Sequence, residues 1–196
     1  MDAREIVALY ARGLFPMDEP GARELPWWTA DPRTIFELDE ESLRRLERKV
    51  RRSLKAAERA EPEWRMRFDV AFDEVVACCA RPRSEDDGVW LTKRMHHLYR
   101  VLNAAGHAHT FELWAGEELI AGLVAVTIGR AAMLETMFHR VPHAGNVMLA
   151  RTLRLLADRG FELCDIQTAT EHTLRLGAVR IPREEYERRL ARAVRG

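Results

Sequence analysis

One acidic side chain of this sequence lies where a carboxylate is costly to bury. Glu135 stands within residues 131–138, a run in which only Thr136 among its neighbours is polar. An unpaired carboxylate buried in such a strand costs several kcal/mol, so the side chain must face a partner, a cavity or water. Either Glu135 makes a structural hydrogen bond or lies at an outward edge, or it is a cavity acid that binds a cationic group of a ligand.

A second polar pair follows an apolar run later in the chain. Asp165 and Gln167 lie two residues apart in a strand predicted over residues 161–167, so both side chains point to one face. Polar residues at the carboxyl end of a strand in an α/β sheet often face a ligand crevice. The alternative is a strand-end aspartate that caps the next helix.

These residues need strands and helices to position them, and the hydrophobic periodicity predicts such a scaffold. Strands over 107–114, 119–128 and 131–138, joined by short turns, form an antiparallel meander. Helices are predicted over 2–13, 69–80, 92–105, 145–159, 170–176 and 183–194, with another inside a basic block at 44–67. This order predicts an α/β fold with a mixed sheet.

The basic block is the main charge feature of the chain. Its 31 basic and 31 acidic residues cancel overall, which excludes a globally basic nucleic-acid coat, yet residues 44–67 carry 10 basic against 4 acidic groups. Leucine and valine side chains form one stripe of this helix, which Ser42 is expected to cap. Arg48, Arg51 and Arg52 occupy other faces, either as a solvated surface or as a phosphate-binding ridge.

Composition limits the remaining possibilities. The 196 residues, 47% apolar, allow one domain or one domain with a small annex, and no apolar run is long enough to span a membrane. Three cysteines, two of them adjacent, do not form a disulfide framework, so a cytoplasmic location is expected. No metal or nucleotide-binding motif occurs.

Adjacent Trp27 and Trp28 lie in a proline-rich loop. They either pack between subdomains or form the wall of an aromatic binding site.

Nine segments, in order along nearly the whole chain, resemble the bacterial leucyl/phenylalanyl-tRNA–protein transferases. They are YARGLFPM at 10–17, WWTADPR at 27–33, VRRSLK at 50–55, CARPR at 79–83, GVWLT at 88–92, GHAHTFELW at 106–114, ETMF at 135–138, DIQ at 165–167 with His172, and LGAVRIPR at 176–183. The resemblance implies a small N-terminal domain over 1–65 and an acetyltransferase-like catalytic domain over 66–196. The latter would be α/β (α+β), like the GCN5-related N-acetyltransferases, with a mixed, mostly antiparallel sheet flanked by helices.

The resemblance also implies an activity. The enzyme would transfer Leu, Phe or Met from aminoacyl-tRNA to the N-terminal Arg or Lys of a protein, forming a peptide bond that marks the protein for N-degron proteolysis. No cofactor, metal or membrane is implied, and a cytoplasmic monomer is expected. An aminoacyl ester is already activated, so positioning and oxyanion stabilisation suffice without a covalent intermediate.

By the same resemblance, roles fall on particular residues. Gln167 contacts the incoming amine and Asp165 holds it, or Asp165 itself binds the ammonium form and takes its proton. Glu135 holds the α-ammonium of the donor. Met137 and Phe138 are implied to surround the donor side chain, and Trp90 to stack on the terminal adenine. Met17 and Trp28 are implied as further substrate contacts. The basic residues Arg48, Arg51 and Arg52 are implied to contact tRNA phosphates.

Two alternatives remain open. Leu134, His139 and Asn146 stand where the family usually has Gly, Ser and Lys, which favours a divergent, non-catalytic relative that binds aminoacyl-tRNA or peptide. The second alternative is an acyl-CoA N-acetyltransferase with the same fold, although residues 140–146 do not match the loop with which those enzymes bind pyrophosphate.

Overall fold

The structure, a computed structural model, describes residues 1–19, 21–80 and 91–195. Its strands are β1 (Phe15–Pro16), β2 (Trp27–Trp28), β3 (Arg33–Phe36), β4 (Trp64–Phe68), β5 (Ala108–Ala115), β6 (Glu118–Ile128), β7 (Ala131–His139), β8 (Leu163–Asp165) and β9 (Val179–Ile181). Its helices are α1 (Ala3–Tyr10), α2 (Glu40–Lys49), α3 (Arg51–Glu58), α4 (Phe72–Cys79), α5 (Lys93–Ala104), α6 (Ala144–Asp158), α7 (Glu171–Leu176) and α8 (Arg183–Ala193).

Seven strands form one mixed sheet in the order β4-β5-β6-β7-β8-β3-β9, while β1 and β2 form a separate hairpin. The β7–β8 pair is parallel and its other strand pairs are antiparallel. The predicted meander is confirmed as β5, β6 and β7, because their long runs of alternating or continuous apolar residues are the clearest strand signals in the sequence. The predicted mixed sheet flanked by helices is also confirmed.

The sheet separates two hydrophobic cores. Helices α2, α3 and α6 pack on one face, where Leu46 and Val147 are buried. Helices α1, α4, α5 and α8 cover the other face, where Tyr99 and Tyr186 are buried. The hydroxyl groups of these two tyrosines both bond to carboxylates at the end of the sheet, Tyr99 to Glu135 and Tyr186 to Asp165. No helix within the described ranges is long and apolar enough to cross a bilayer.

The basic block forms two helices instead of one. Helix α2 ends at Lys49 and α3 begins at Arg51, because Val50 leaves helical geometry (φ −98°, ψ 12°). Asp39 caps α2 by accepting the backbone N–H of Ser42, so the predicted Ser42 cap is wrong. An acceptor with a β-region backbone is what an N-cap requires, and Asp39 provides both.

Short strands account for the other differences. Residues 64–68 form β4 along the edge of β5, so helix α4 starts at Phe72 instead of the predicted residue 69. The strand predicted over 161–167 is shorter, since β8 ends at Asp165 and Gln167 takes a left-handed backbone (φ 59°). Strand β3 lies between β8 and β9, so one sheet contains residues from both sides of position 65. The division into domains at that position stays a prediction.

Candidate active site

The parallel strands β7 and β8 separate just beyond their last paired residues, and the candidate site lies in that opening. Met133 pairs with Asp165, and Glu135 and Gln167 each follow two residues later. In the register of β6 and β7, Val124 pairs with Thr136 and Ala125 with Leu134, which leaves Glu135 as the extra residue of a β-bulge. Bulges turn a side chain out of the regular strand alternation and recur beside active sites.

Glu135 and Gln167 are in direct contact across this opening. The side-chain amide nitrogen of Gln167 donates a hydrogen bond to Oε1 of Glu135 at 3.2 Å. The hydroxyl of Tyr99 donates to Oε2 of the same carboxylate at 2.9 Å. The two carboxyl oxygens therefore each have a neutral donor, and no described cation pairs with Glu135.

The surroundings of Glu135 favour its neutral form. Burial raises the pKa of Glu135 to about 7, and the negative charge of Asp165 contributes in the same direction. The hydrogen bond from Tyr99 opposes this increase. Burial also holds the pKa values of Tyr99 and Tyr10 well above the ordinary value, so both phenols stay neutral. A cationic group entering this site would compensate the carboxylate and favour its ionised form.

Asp165 is fully buried, and its carboxylate is occupied by four hydrogen bonds. Arg33 donates two parallel bonds, from Nε to Oδ1 at 2.9 Å and from a terminal nitrogen to Oδ2 at 2.6 Å. The hydroxyl of Tyr186 donates to Oδ2 at 2.9 Å, and the backbone N–H of Gln167 donates to Oδ1 at 2.8 Å. Asp165 is therefore bound on both oxygens by groups of the protein itself.

These contacts fix the conformation of Gln167. Its left-handed backbone is uncommon for a residue other than glycine, and Asp165 holds it through the N–H of Gln167. The carbonyl oxygen of Gln167 accepts the N–H of Thr34 on β3 at 3.1 Å. With its amide nitrogen directed at Glu135, Gln167 has its side-chain oxygen left as an acceptor.

A cavity of about 540 Å³ lies along the part of β7 that follows Glu135, although neither Glu135 nor Gln167 belongs to its described lining. Met137 and Phe138, which follow Glu135 on β7, line it together with Cys78, Cys79, His139, Arg140, His143, Gly145, Asn146 and His172. Phe138 packs closely over Gly122, where a Cβ atom would lie 2.6 Å from the ring. Although three histidines line this cavity, no group of three metal-ligating side chains occurs in the described part of the chain.

A stripe of exposed basic side chains leads to the same cavity. Arg48, Arg51, Arg52, Lys55 and Arg59 recur at helical spacing along α2 and α3, and we call them the basic stripe. Four of the five line a second hollow of about 450 Å³, which shares His143 with the first cavity. None of the stripe makes an ion pair with a described carboxylate, whereas Arg44 and Arg45 pair with Glu40 and Glu41.

The remaining residues named from the sequence lie elsewhere. Met17 and Trp28 lie together on the β1–β2 hairpin, where the indole N–H of Trp28 donates to the backbone oxygen of Met17. They are 39% and 37% exposed, and neither lines the 540 Å³ cavity. Trp27 packs edge-on against Tyr10 at 5.5 Å between ring centres, which matches the packing interpretation of that residue. Trp90 lies outside the described residues.

Sequence reasoning missed several side chains of the site. Arg33 was present in a matched segment, but nothing in its spacing from Asp165 indicated a buried ion pair. Tyr99 and Tyr186 fall on the inner faces of α5 and α8, where an aromatic residue is usually a core residue. A hydroxyl directed from the core to a carboxylate is visible only once the sheet has been assembled.

The chain resembles known proteins in sequence and in fold. Residues 41–191 match the model of the family described as leucyl/phenylalanyl-tRNA protein transferase. A protein of that name from Bordetella petrii is 37% identical over all of this chain and 78% of its own length. One from Anaeromyxobacter sp. is 38% identical over 99% of this chain and 80% of its own length. The crystal structure of FemX shares the fold, with a TM-score of 0.53 at 11% identity over 91% of this chain and 66% of FemX.

Proposed function

The chain belongs to the leucyl/phenylalanyl-tRNA–protein transferase family, and we propose that its Glu135–Gln167 cluster is where it transfers an amino acid from aminoacyl-tRNA to a protein. Membership makes the chain an aminoacyltransferase with aminoacyl-tRNA and protein substrates. We further propose Leu, Phe or Met as the amino acid, N-terminal Arg or Lys as the acceptor, N-degron marking as the result, and a monomer as the active form.

The observation that carries this proposal is the contact between Glu135 and Gln167 in the opening between β7 and β8. A carboxylate that pairs with no cation among the described residues lies there beside an amide whose oxygen can accept a hydrogen bond. The two substrates of the family each bring an amine to the reaction, one on the donor amino acid and one on the acceptor. The cluster offers one group to each amine.

Glu135 binds the α-ammonium of the donor amino acid. Its burial makes the unpaired carboxylate costly, and an ammonium ion removes that cost when it binds. Met137 and Phe138 lie on the same strand and line the cavity, where they contact the donor side chain. A methionine adapts its shape easily, which suits a cavity that accepts Leu, Phe and Met.

Gln167 aims the attacking amine. An amide is too weak a base to remove the proton, so its oxygen accepts an amine N–H and directs the lone pair at the ester carbon. The amine nitrogen forms a bond with that carbon, the bond to the ribose oxygen breaks, and the leaving oxygen takes up the proton that the amine loses. An α-amine with a pKa near ~7.7–8.0 supplies enough free base at neutral pH.

Asp165 serves this step as a positioning residue. Arg33, Tyr186 and the backbone of Gln167 already occupy both carboxyl oxygens. A carboxylate held in this way is a poor proton acceptor for a substrate amine, because the amine would first have to displace buried partners. We therefore favour the role in which Asp165 holds Gln167 over the role in which it takes the proton.

The basic stripe binds phosphates of the tRNA. Its five cations lack carboxylate partners among the described residues, whereas neighbouring arginines are paired, so the stripe carries uncompensated positive charge. Such contacts add affinity without reading sequence. We keep Trp90 as the residue that stacks on the terminal adenine, and Met17 and Trp28 as further substrate contacts from the hairpin.

Transfer of radiolabelled Leu or Phe from its tRNA to a peptide beginning with Arg tests the proposal. Gln167→Asn retains a side chain that tolerates a left-handed backbone but withdraws the amide, and we expect transfer to fall by ~100-fold. Glu135→Gln should lower the use of the donor to a similar degree. Glu118→Gln, an exposed residue at the start of β6, is the matched control.

The outcomes separate the alternatives. Full activity in both site variants would remove the cluster from the reaction. Binding of aminoacyl-tRNA by the wild type without transfer, even with Met-tRNA and with peptides beginning with Lys, would support the non-catalytic alternative. Acetyl-CoA binding in place of tRNA binding would support the acetyltransferase alternative.

A further inference from the structure

We infer that His143 binds the phosphate of the terminal nucleotide of the donor tRNA, an inference that rests on the proposed function. His143 precedes helix α6 and lies between the two hollows of this face. It lines the 540 Å³ cavity with Met137 and Phe138, and it lines the 450 Å³ hollow with four cations of the basic stripe. A ligand that extends from one hollow into the other must pass this side chain.

A hydrogen bond to Ser53 orients the ring of His143. The side-chain amide of Asn146 donates to the hydroxyl oxygen of Ser53 at 3.3 Å, and that oxygen lies 3.1 Å from Nδ1 of His143. We assign the Ser53 hydroxyl as the donor to Nδ1, which places the ring proton on Nε2. Nε2 is then the nitrogen that can donate to a ligand.

The charges around this donor select an anion. Arg51, Arg52, Lys55 and Arg59 line the hollow beside His143, and its described lining contains no carboxylate. A donor at the inner end of such a hollow suits a phosphate oxygen and leaves a cationic ligand unfavoured. Asn146 stands where the family usually has a lysine, so an uncharged amide bound to Ser53 replaces a cation close to the start of α6.

The chemistry of the donor tRNA identifies the phosphate that His143 would bind. The amino acid is esterified to the ribose of the last nucleoside, and the 5′-phosphate of that nucleoside is the nearest anionic group to the ester. With the aminoacyl end in the cavity and earlier phosphates along the basic stripe, that phosphate falls at the junction. His143 thereby sets how deep the ester enters the site, while the arginines attract the remaining backbone without fixing its depth.

Competition with short donor analogues tests the inference. The probes are 3′-leucylamido-adenosine and the same compound with a 5′-phosphate, each used to inhibit transfer from Leu-tRNA. The wild type should bind the phosphorylated probe about tenfold more tightly, as expected for one charge-assisted hydrogen bond. His143→Asn keeps a residue suited to the left-handed backbone at this position (φ 71°) and should abolish the preference. It should leave the inhibition constant of the unphosphorylated probe unchanged.

Two further variants keep the test decisive. Ser53→Ala removes the partner that orients the ring and should reduce the preference to about threefold, a readout that serves if His143→Asn does not fold. Arg44→Gln, on an exposed arginine paired with Glu40, is the control and should retain the full preference.

The results also distinguish this inference from the proposed function. Equal inhibition by both probes in the wild type, no inhibition by either, or a preference retained in both the His143 and Ser53 variants would overturn the role of His143. Loss of affinity for both probes to the same extent in either variant would overturn it as well, because it would place the side chain on the nucleoside. Absence of transfer by the wild type from Leu-, Phe- or Met-tRNA would instead contradict the proposed function.

Discussion

Arg33 and Asp165 are separated by 132 positions in the chain and form a buried two-bonded ion pair beneath the candidate site. The pair joins β3 to the end of β8, and one oxygen of Asp165 also accepts the backbone N–H of Gln167. The planar guanidinium is thus linked to the backbone N–H of Gln167 through a single intervening carboxylate. The remaining terminal nitrogen of Arg33 donates to the backbone oxygen of Gly13, two residues before β1.

Replacing Arg33 with Lys should uncouple this arrangement while the charge is kept. A lysine cannot supply the two parallel bonds, so we expect the free energy of unfolding to fall by ~2–4 kcal/mol. The kcat of transfer should fall by ~10–100-fold with little change in KM for aminoacyl-tRNA, since Gln167 loses its orientation. Denaturant unfolding and steady-state kinetics measure both. Arg130→Lys, in an exposed pair with Glu162, should change neither. A rise in KM with kcat unchanged would contradict a positioning role.

The ionisation of Glu135 should make stability depend on pH in a predictable direction. Its pKa in the folded protein is about 7, above its ordinary 4.5, so folding favours the protonated form. The resulting stability is present below pH ~4.5 and is lost as the pH rises through ~7, to at most about 3 kcal/mol. The side chain introduced by Glu135→Gln cannot ionise. We expect the free energy of unfolding of this variant, minus that of the wild type, to grow by up to that amount between pH 4.5 and 7.5. A difference independent of pH would show that folding does not raise the pKa of Glu135.

Tyr99 should affect the pH at which activity rises on the acidic side of the pH–rate profile. Its hydroxyl bonds to the carboxylate of Glu135 and lowers the pKa of that group. Tyr99→Phe removes this stabilisation, so the rise of kcat/KM for the donor with pH should move to higher pH. The descending limb, set by the α-ammonium of the donor, should stay in place. Measurement of kcat/KM from pH 5.5 to 9 tests this, and an unmoved acidic limb would remove Glu135 from donor binding.

The basic stripe should make the affinity for tRNA depend on salt concentration. Arg51→Gln with Arg52→Gln removes two of its cations, and the slope of log K against log salt should become less negative by about two. Filter binding between 50 and 300 mM salt gives the slope. Arg44→Gln with Arg45→Gln removes two cations that are already paired with glutamates, and should change the slope far less. Equal changes in the two pairs would mean that the stripe has no special role.

Gly122 should control which donors fit the cavity. A Cβ there would lie 2.6 Å from the ring of Phe138 and 2.9 Å from both methyl groups of Val75. Gly122→Ala therefore displaces Phe138, at a cost of ~1–3 kcal/mol of stability. We expect the ratio of kcat/KM for Phe-tRNA to that for Leu-tRNA to change severalfold, because Phe138 lines the cavity. An unchanged ratio in a folded variant would place the donor side chain elsewhere.

The sequence predicts some features of this molecule much better than others. The strands β5 to β7 follow from long apolar patterns, and the cost of burying Glu135 already indicated a partner or a cavity. Strands β3 and β9 have only three or four residues each, too few for a pattern, and tertiary pairing creates them. The β-bulge at Glu135, the left-handed backbone of Gln167 and the partners of Asp165 all depend on contacts between distant segments. Local reasoning cannot find such contacts.

The position of β3 between β8 and β9 has a consequence for how the protein is made. A ribosome synthesises Arg33 early, but the strands on both sides of β3 and the carboxylate that neutralises Arg33 are synthesised much later. Until then β3 has no neighbour in its sheet, and its guanidinium has no buried partner. Domains generally fold as units during synthesis, the N-terminal domain first. Here the candidate site can assemble only after β8 and β9 have left the ribosome, because the Arg33–Asp165 pair beneath it cannot form earlier.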